Sequence, residues 1–145
     1  LRHRGPQVST APVLDTHAWI WWVEGNSRLG RPVIAALDEL PADDRPYLSD
    51  VSLLEVATLF RLERVTFSVP LEDWLESAAH PRSVRIVPIT PVIAAKVAGL
   101  PSSFHRDPAD RVIVATCQAL DAPLLTRDRL IARSRLTKRW APRAA

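Results

Sequence analysis

Short apolar runs alternate with longer helical patterns along most of this chain. The runs predict four buried strands, at residues 11–14, 47–48, 84–89 and 123–126. The segments between them predict helices, at residues 16–23, 32–40, 50–63, 70–79, 91–100 and 108–120. After the last strand, residues 128–134 predict a helical turn or two, and residues 136–140 are a candidate edge strand. This alternation is typical of an α/β layer architecture with a mainly parallel sheet.

The first predicted helix carries three closely spaced tryptophans, Trp19, Trp21 and Trp22. On a helix, Trp21 projects to a different side from Trp19 and Trp22, so the three rings cannot all face one core. We therefore expect at least one ring to be available to a neighbouring subunit or a bound peptide. The alternative is that a second layer of the same domain covers it.

The length of 145 residues and a hydrophobic content of 47% fit one compact domain. We expect this domain to span residues 12–141, after a flexible arm at residues 1–11. The net charge of +3 leans mildly toward polyanionic partners, although the basic residues near the C-terminus could equally form a solvated tail. These residues are Arg127, Arg129, Arg133, Arg135, Lys138, Arg139 and Arg143.

The chain contains one cysteine, Cys117, so an intramolecular disulfide cannot form. This suits a reducing compartment, and we expect Cys117 to be a small core residue on a helix. No apolar stretch approaches the roughly 20 residues that cross a bilayer, and the first residues lack the apolar core of a signal peptide. We therefore expect a cytoplasmic protein without a membrane partner.

Acidic residues recur beside the apolar runs. Asp15 and Asp128 follow predicted strands, Asp107 and Asp110 begin the helix at 108–120, and Glu55 lies on the helix at 50–63. In open α/β sheets the ligand crevice lies at the carboxyl ends of the strands. These carboxylates are therefore expected to converge there.

Each carboxylate also has a structural interpretation. Asp15 and Asp128 could cap the helices that follow them, and Asp107 could be the N-cap of a helix with proline at its first position. Glu55 could be a surface residue or could close a capping box that begins at Ser52. We assign Asp107 mainly to capping and Asp110 mainly to a metal ion.

Neighbouring hydroxyl groups could support such a site. Thr16 could take over the capping of the first helix and free Asp15 for an ion. Thr126 could orient a ligand or a metal-bound water, and Ser52 could help to orient the site.

The balance of energies favours a cation if the carboxylates converge. Two carboxylates about 5 Å apart repel by roughly 3 kcal/mol at an effective dielectric of about 20, whereas a helix cap contributes only about 1 kcal/mol. A hard divalent cation with oxygen ligands would offset this repulsion, and Mg²⁺ or Mn²⁺ fits better than zinc. Zinc would require Cys and His at close spacing, which the four scattered histidines do not supply.

Four motifs in order resemble those of the PIN-domain nucleases, in particular the VapC-type toxins of bacterial toxin–antitoxin pairs. They are Leu14-Asp15-Thr16-His17, Ser52-x-x-Glu55, the run from His105 through Asp107-Pro108-Ala109-Asp110-Arg111 to Thr116, and Thr126-Arg127-Asp128. The likeness runs from about residue 13 to residue 140. The chain departs from the family at its start, because about a dozen residues precede the first Asp, which places the translation start in question.

The resemblance implies a PIN-like α/β/α sandwich with a mainly parallel central sheet, and Mg²⁺- or Mn²⁺-dependent endoribonuclease activity. It places the metal ligands and catalytic carboxylates at Asp15, Glu55, Asp110 and Asp128, supported by Thr126 and, less directly, Asp107. It also implies inhibition by a small VapB-like antitoxin whose C-terminal segment wraps the toxin and reaches the active site. We further expect a homodimer.

The mechanism that these residues favour is attack on an RNA phosphate by metal-activated water. We expect Asp15 and Asp110 to be direct ligands, with Glu55 and Asp128 acting through waters or a second ion. Four arginines beside the acids could hold RNA phosphates or could form surface ion pairs. They are Arg106, Arg111, Arg127 and Arg129.

Other functions remain open at this point. A haloacid dehalogenase-type phosphoryl-transfer enzyme needs a second Asp two residues after Asp15, where this chain has His17, and the acidic pair and late lysine of response regulators are not evident. A dinucleotide-binding module is weaker still, because four glycines form no Gly-x-Gly-x-x-Gly loop. A catalytically silent RNA- or protein-binding domain, with its acids serving as caps, is the alternative of a different class.

Overall fold

The computed structural model describes residues 11–104 and 107–142. Its four strands form one parallel sheet in the order β3-β2-β1-β4. The strands are β1 Val13–Leu14, β2 Tyr47–Ser49, β3 Arg85–Val87 and β4 Leu124–Leu125. The helices are α1 Thr16–Val23, α2 Arg31–Asp38, α3 Val51–Arg61, α4 Leu71–Ala78, α5 Pro91–Gly99, α6 Pro108–Leu120 and α7 Arg129–Ser134.

Successive residues of the central strands face opposite sides of the sheet, as the period of two in a strand requires. Leu14 and Leu125 belong to the core on the α1, α2, α3 and α4 side, where Trp19, Val56 and Trp74 are buried. Their neighbours Val13 and Leu124 belong to the core on the other side, with α6 and α7. The sheet therefore lies between two helical layers, which confirms the predicted α/β sandwich with a parallel sheet.

The strands are shorter than the apolar runs that predicted them. The run at 84–89 gives only β3, because beyond Val87 the amide of Ile89 donates to the Asp50 side chain, at 3.3 Å, and not to the backbone of β2. The candidate edge strand at 136–140 contributes a single parallel bridge between Leu124 and Arg139. The two hydrogen bonds there join Leu124 N to Lys138 O at 2.8 Å and Trp140 N to Leu124 O at 2.9 Å.

The described part of the chain begins at Ala11, the last residue of the predicted arm. Ala11 is fully buried, and the carbonyl of Pro12 accepts a hydrogen bond from Tyr47 N at 2.9 Å. Residues 1–10 of that arm lie outside the described residues. Within the described ranges, no helix is both long and apolar enough to cross a membrane.

The three tryptophans of α1 have three different surroundings. Trp19 is fully buried, and its Nε1 donates to the carbonyl of Ala78 at 3.1 Å. The Nε1 of Trp22 donates to Asp38 Oδ1 at 2.9 Å. Trp21 is only partly buried, and its ring lies 5.8 Å from that of His17. The prediction that the three rings cannot all face one core is wrong, because the partly buried rings of Trp21 and Trp22 pack against the same core that contains Trp19. The availability of an exposed part of these rings to a partner stays a prediction.

Cys117 is buried on α6, in the core beside β1 and β4, as expected. Burial raises the pKa of its thiol far above the ordinary value, with a smaller contribution from the charge of Asp15. The thiol therefore stays protonated at neutral pH, which makes it a packing residue rather than a nucleophile.

Arg111 on α6 fixes the end of α5. Its guanidinium donates to the carbonyls of Val97, Leu100, Pro101 and Phe104 at 3.3–3.5 Å. These carbonyls lie at the C-terminus of α5 and in the loop behind it, where carbonyl groups lack helical partners. We therefore assign Arg111 to the packing of α5 and its following loop on α6. This differs from the binding of RNA phosphates that the sequence suggested for Arg111.

Replacing Arg111 by alanine should destabilise the fold. We expect Arg111→Ala to lower the free energy of unfolding by about 2 kcal/mol, since hydrogen bonds from a charged donor contribute about 1.5–3 kcal/mol. Urea unfolding measures this change. The matched control is Arg129→Ala, which removes an exposed arginine from α7 and should change stability by less than about 0.5 kcal/mol. Equal effects of the two substitutions would contradict the structural role of Arg111.

Candidate active site

The carboxylates line a cavity of about 480 Å³ near the carboxyl ends of β1 and β4. Its walls come from α1 and the turn behind it, from α3, from the start of α6, and from the segment between β4 and α7. The lining residues are Asp15, Thr16, His17, Trp21, Arg28, Glu55, Asp107, Asp110, Arg127, Asp128 and Ile131. All four predicted ligands thus border one cavity.

Asp15 joins β1 to α1 and is buried. It is the N-cap of α1, and its Oδ1 accepts a hydrogen bond from Ala18 N at 2.8 Å. Burial raises the pKa of the Asp15 carboxyl, and hydrogen bonds from the Thr126 side chain and from Ala18 N oppose that rise. The idea that Thr16 replaces Asp15 as the cap is wrong, since Asp15 caps the helix and borders the cavity at once.

Thr16 belongs instead to a chain of hydrogen bonds that ends on Glu55. Its hydroxyl lies 2.9 Å from Ser52 Oγ, and its side chain also bonds to the Glu55 carboxylate. A hydroxyl has one proton, so when Thr16 donates to Glu55, Ser52 donates to Thr16. Ser52 is fully buried inside α3, whose N-cap is Asp50, so it does not begin the capping box that the sequence allowed. Burial raises the pKa of the Glu55 carboxyl, and the hydrogen bond from Thr16 lowers it by a smaller amount.

The start of α6 brings two further carboxylates to the cavity. Asp107 is the N-cap, and its Oδ1 accepts from Asp110 N at 3.2 Å, with Pro108 at the first helical position. Asp110 stands at the third position. Capping by Asp107 is therefore confirmed, and the cap lies in the cavity as well.

Glu55, Asp107 and Asp110 form the tightest acidic group in the described part of the chain. One carboxylate oxygen from each lies within 4.8 Å of the other two. The sequence had assigned Asp107 mainly to the helix cap, whereas the structure places it in this group. Asp15 and Asp128 border the same cavity but do not belong to the group.

The effect of these neighbouring charges is largest for the pKa of Asp110. Burial raises the pKa of its carboxyl to about 7, and the charges of Asp107, Glu55, Asp15 and Asp128 add to the rise. A carboxyl group with this pKa is partly protonated at neutral pH. A bound cation would reverse the effect, because positive charge favours the ionised form.

Thr126 and Asp128 close the site behind β4. The hydroxyl of Thr126, which is buried, accepts from Asp128 N at 2.9 Å while its side chain also bonds to Asp15. Asp128 caps α7, since its Oδ1 accepts from Leu130 N at 2.8 Å and from Ile131 N at 3.2 Å. Thr126 thus connects two of the predicted carboxylates.

The predicted phosphate-binding arginines have different locations. Arg127 borders the cavity, and its guanidinium donates to the carbonyl of Leu29. Arg129 lies instead at a neighbouring cavity on the far side of Asp128. Arg106 lies outside the described residues.

The close approach of Arg127 depends on Gly30. The φ angle of Gly30 is +98°, which L side chains rarely adopt. An added Cβ would also lie 2.7 Å from Arg127 Nη2, too close for a non-bonded contact. Gly30 therefore permits both the turn and the contact.

Four lining residues were not among the predicted site residues, namely His17, Trp21, Arg28 and Ile131. His17 and Trp21 are four residues apart on α1, so they share one face of the helix, and that face begins at Asp15. This spacing could have placed both beside the acids. Arg28 comes from the short turn Ser27–Leu29, and no sequence pattern indicates that this turn folds back to the cavity.

The residues present fit a hard divalent cation. The close group consists of carboxylate oxygens, which Mg²⁺ and Mn²⁺ prefer, and Asp110 is held in a surrounding that disfavours its negative charge unless positive charge is added. The only cysteine is buried in the core and offers no thiolate. Glu55, Asp107 and Asp110 could hold such an ion, with Asp15 and Asp128 at the same cavity.

Comparisons with known proteins agree with this arrangement. The sequence profile of the PIN domain matches residues 13–135. The chain is 38% identical over 120 residues to Ribonuclease VapC22 of Mycobacterium tuberculosis (strain ATCC 25618 / H37Rv), which covers 83% of this chain and 88% of that protein. A solved structure, a toxin-antitoxin complex from Klebsiella pneumoniae, has the same fold, with a TM-score of 0.58, 22% identity and coverage of 81% and 87% of the two chains. The chain belongs to the PIN domain family.

Proposed function

We propose that this protein is a metal-dependent endoribonuclease and the toxin of a toxin–antitoxin pair. The observation that carries the proposal is the group of Glu55, Asp107 and Asp110, within 4.8 Å of one another in a cavity that also holds Asp15 and Asp128. The relative at 38% identity is named a ribonuclease, which supports RNA as the substrate.

The proposed metal ligands are Asp15, Glu55, Asp110 and Asp128, with Asp107 added from the geometry, and the ion is Mg²⁺ or Mn²⁺. When bound, such an ion polarises a phosphate and lowers the pKa of a bound water.

The chain's own residues prepare the site for that ion. Thr126 holds the Asp15 carboxylate, and the Ser52 and Thr16 hydroxyls hold that of Glu55. Arg127, with its guanidinium fixed on the carbonyl of Leu29, places a positive charge at the rim for an RNA phosphate. Arg129, at the neighbouring cavity, could contact RNA farther along, and Arg106 stays a candidate from the sequence alone.

The proposed partners are a VapB-like antitoxin and a second copy of the chain. The solved structure with the same fold is that of a toxin-antitoxin complex, which supports the antitoxin. We place the protein in the cytoplasm, because its single cysteine is a buried free thiol, as is usual in reducing compartments.

One observation favours a silent binding domain instead. Asp15, Asp107 and Asp128 all cap helices, so these three carboxylates have structural roles without a metal. Glu55 and Asp110 are not N-caps, and the caps do not explain why both lie so close to Asp107. Metal dependence separates the two functions.

The first prediction from the proposed function concerns stability without metal. The pKa of Asp110 is raised to about 7 in the folded protein, whereas the unfolded chain ionises near 4. Between these pH values the unfolded state releases the proton first, so the stability of the metal-free protein should fall as pH rises from about 4 to about 7. Asp110→Asn should weaken this fall and should stabilise the metal-free protein at pH 8, while Mg²⁺ or Mn²⁺ should raise the melting temperature of the wild type.

Scanning calorimetry across this pH range, with and without metal, measures these effects. Asp73→Asn on α4 is the control, since Asp73 lies outside the cavity and its replacement should leave the metal response unchanged. A less stable Asp110→Asn protein at pH 8, together with no thermal response of the wild type to metal, would support the silent domain.

The second prediction concerns the cleavage products. Attack by water on the phosphate leaves the RNA 2′-hydroxyl unused, so the products should carry 5′-phosphate and 3′-hydroxyl ends, and EDTA should abolish cleavage. A ribonuclease that used His17 as a base would work without metal and leave 2′,3′-cyclic phosphates. End-group analysis of the cleaved RNA distinguishes the two, and cyclic ends would overturn the metal mechanism.

The third prediction concerns assembly. We expect a homodimer in solution and a tighter complex with the antitoxin. Multi-angle light scattering at micromolar concentration measures the mass of both. A monomer throughout that range would contradict the dimer without affecting the proposed chemistry.

A further inference from the structure

The cavity that holds the carboxylates has a second, aromatic and basic part. Trp21 and His17 border it from α1, and Arg28 and Arg127 border it from two different loops. None of these four residues can supply a carboxylate ligand to a metal. Their presence beside the acidic group therefore calls for a different explanation.

Trp21 is not required to complete the core in the way that Trp19 is. Trp19 is fully buried, and the indole N–H groups of Trp19 and Trp22 each donate a hydrogen bond. Trp21 packs against the core with part of its ring only and borders the cavity as well. Among the described residues, no hydrogen bond from the Trp21 Nε1 is found. An indole with one free edge and a polar N–H suits a bound ligand.

His17 extends this aromatic surface toward the carboxylates. Its ring centroid lies 5.8 Å from that of Trp21, with the planes inclined at 56°. Asp15, which directly precedes α1, and Glu55 line the same cavity as His17 and Trp21. A ligand on Trp21 would therefore lie next to the reacting phosphate.

The two arginines indicate the charge of that ligand. Arg28 is exposed, and within the described residues its guanidinium has no ion pair or hydrogen bond. Arg127 is held at the rim by the carbonyl of Leu29. Two cations beside the aromatic pair favour a polyanion and disfavour a basic peptide segment at this place.

We propose that Trp21, with His17 beside it, is a stacking platform for a nucleotide base adjacent to the scissile phosphate of a single-stranded RNA, and that Arg28 neutralises a flanking phosphate. This inference rests on the proposed ribonuclease function and adds the residues that bind the base and its flanking phosphate. A base inside a duplex is stacked on its neighbours, whereas an unpaired base is free to stack on an aromatic ring. The platform therefore selects unpaired RNA without selecting one sequence.

The binding test uses the full chain with Asp110→Asn, so that bound RNA stays intact. Anisotropy of a fluorescein-labelled, mixed-sequence single-stranded RNA measures the affinity in the presence of Mg²⁺. Stacking contributes about 1–3 kcal/mol per base, so adding Trp21→Leu should weaken binding by roughly 5- to 150-fold. Trp21→Phe should recover most of that loss. Arg28→Ala should weaken binding and reduce its dependence on salt.

The matched control is Trp22→Leu, on the same helix but beside Asp38 and outside the acidic cavity. It should bind RNA like the Asp110→Asn parent. Thermal unfolding of each variant verifies that it is folded. An equal loss of affinity in the Trp21→Leu and Trp22→Leu proteins would show a general effect on the fold and overturn the platform.

A second measurement does not depend on a destabilising substitution. An abasic nucleotide is moved along the RNA, and binding to the parent and to the Trp21→Leu protein is compared. At one position the abasic nucleotide should weaken binding to the parent and should cause no further loss of affinity in the Trp21→Leu protein, since the missing base and the missing ring belong to one interaction. Additive losses at every position would overturn the platform.

The outcomes separate this inference from the proposed function. A parent protein that binds no RNA, and a wild type that cleaves none with metal, would overturn both. Metal-dependent cleavage with unchanged RNA affinity in Trp21→Leu would overturn the platform alone. If that variant kept its RNA affinity but lost the antitoxin, Trp21 would be a peptide anchor instead.

Discussion

Repulsion among carboxylates at one edge of the sheet is the constraint on which the rest of this structure depends. Glu55, Asp107 and Asp110 lie within 4.8 Å of one another, and such charges repel by roughly 3 kcal/mol per pair at an effective dielectric of about 20. The fold tolerates this because each acid is attached to a buried element. Behind Asp110, for example, α6 has a continuous run of buried residues that packs on the face of the sheet formed by β1 and β4.

Backbone amides at helix starts hold several of these acids in place. Asp15, Asp107 and Asp128 each accept hydrogen bonds from the first turn of the helix that follows. Such bonds fix the side-chain rotamer and offset part of the charge through the helix dipole. A single oxygen of each carboxylate makes these bonds. The cap bonds do not use the second oxygen of each carboxylate, so capping by itself does not prevent metal binding, although Asp15 also accepts a hydrogen bond from Thr126.

The sequence predicted the sheet and most helices because their apolar periodicity is local, and it predicted the four carboxylates because parallel strands end at one edge. It could not assign Arg111, whose carbonyl partners lie 7 to 14 residues earlier and are brought near only by the packing of α5 on α6. The sequence also assigned Asp107 to capping and not to the metal-binding group. The capping motif is a sufficient reason for an Asp at this position, and only the structure shows how close it lies to Glu55. Arg28 was missed because the sequence of a turn does not indicate which part of the fold the turn contacts.

The burial of Cys117 has a consequence for spectroscopy. The only thiol of the chain is enclosed between the sheet and α6, and its raised pKa keeps it unreactive at neutral pH. A cysteine introduced on the surface would therefore be the single site that a maleimide dye or a nitroxide spin label modifies. Pairs of such labels would report distances across the cavity rim in solution, without removal of the natural cysteine.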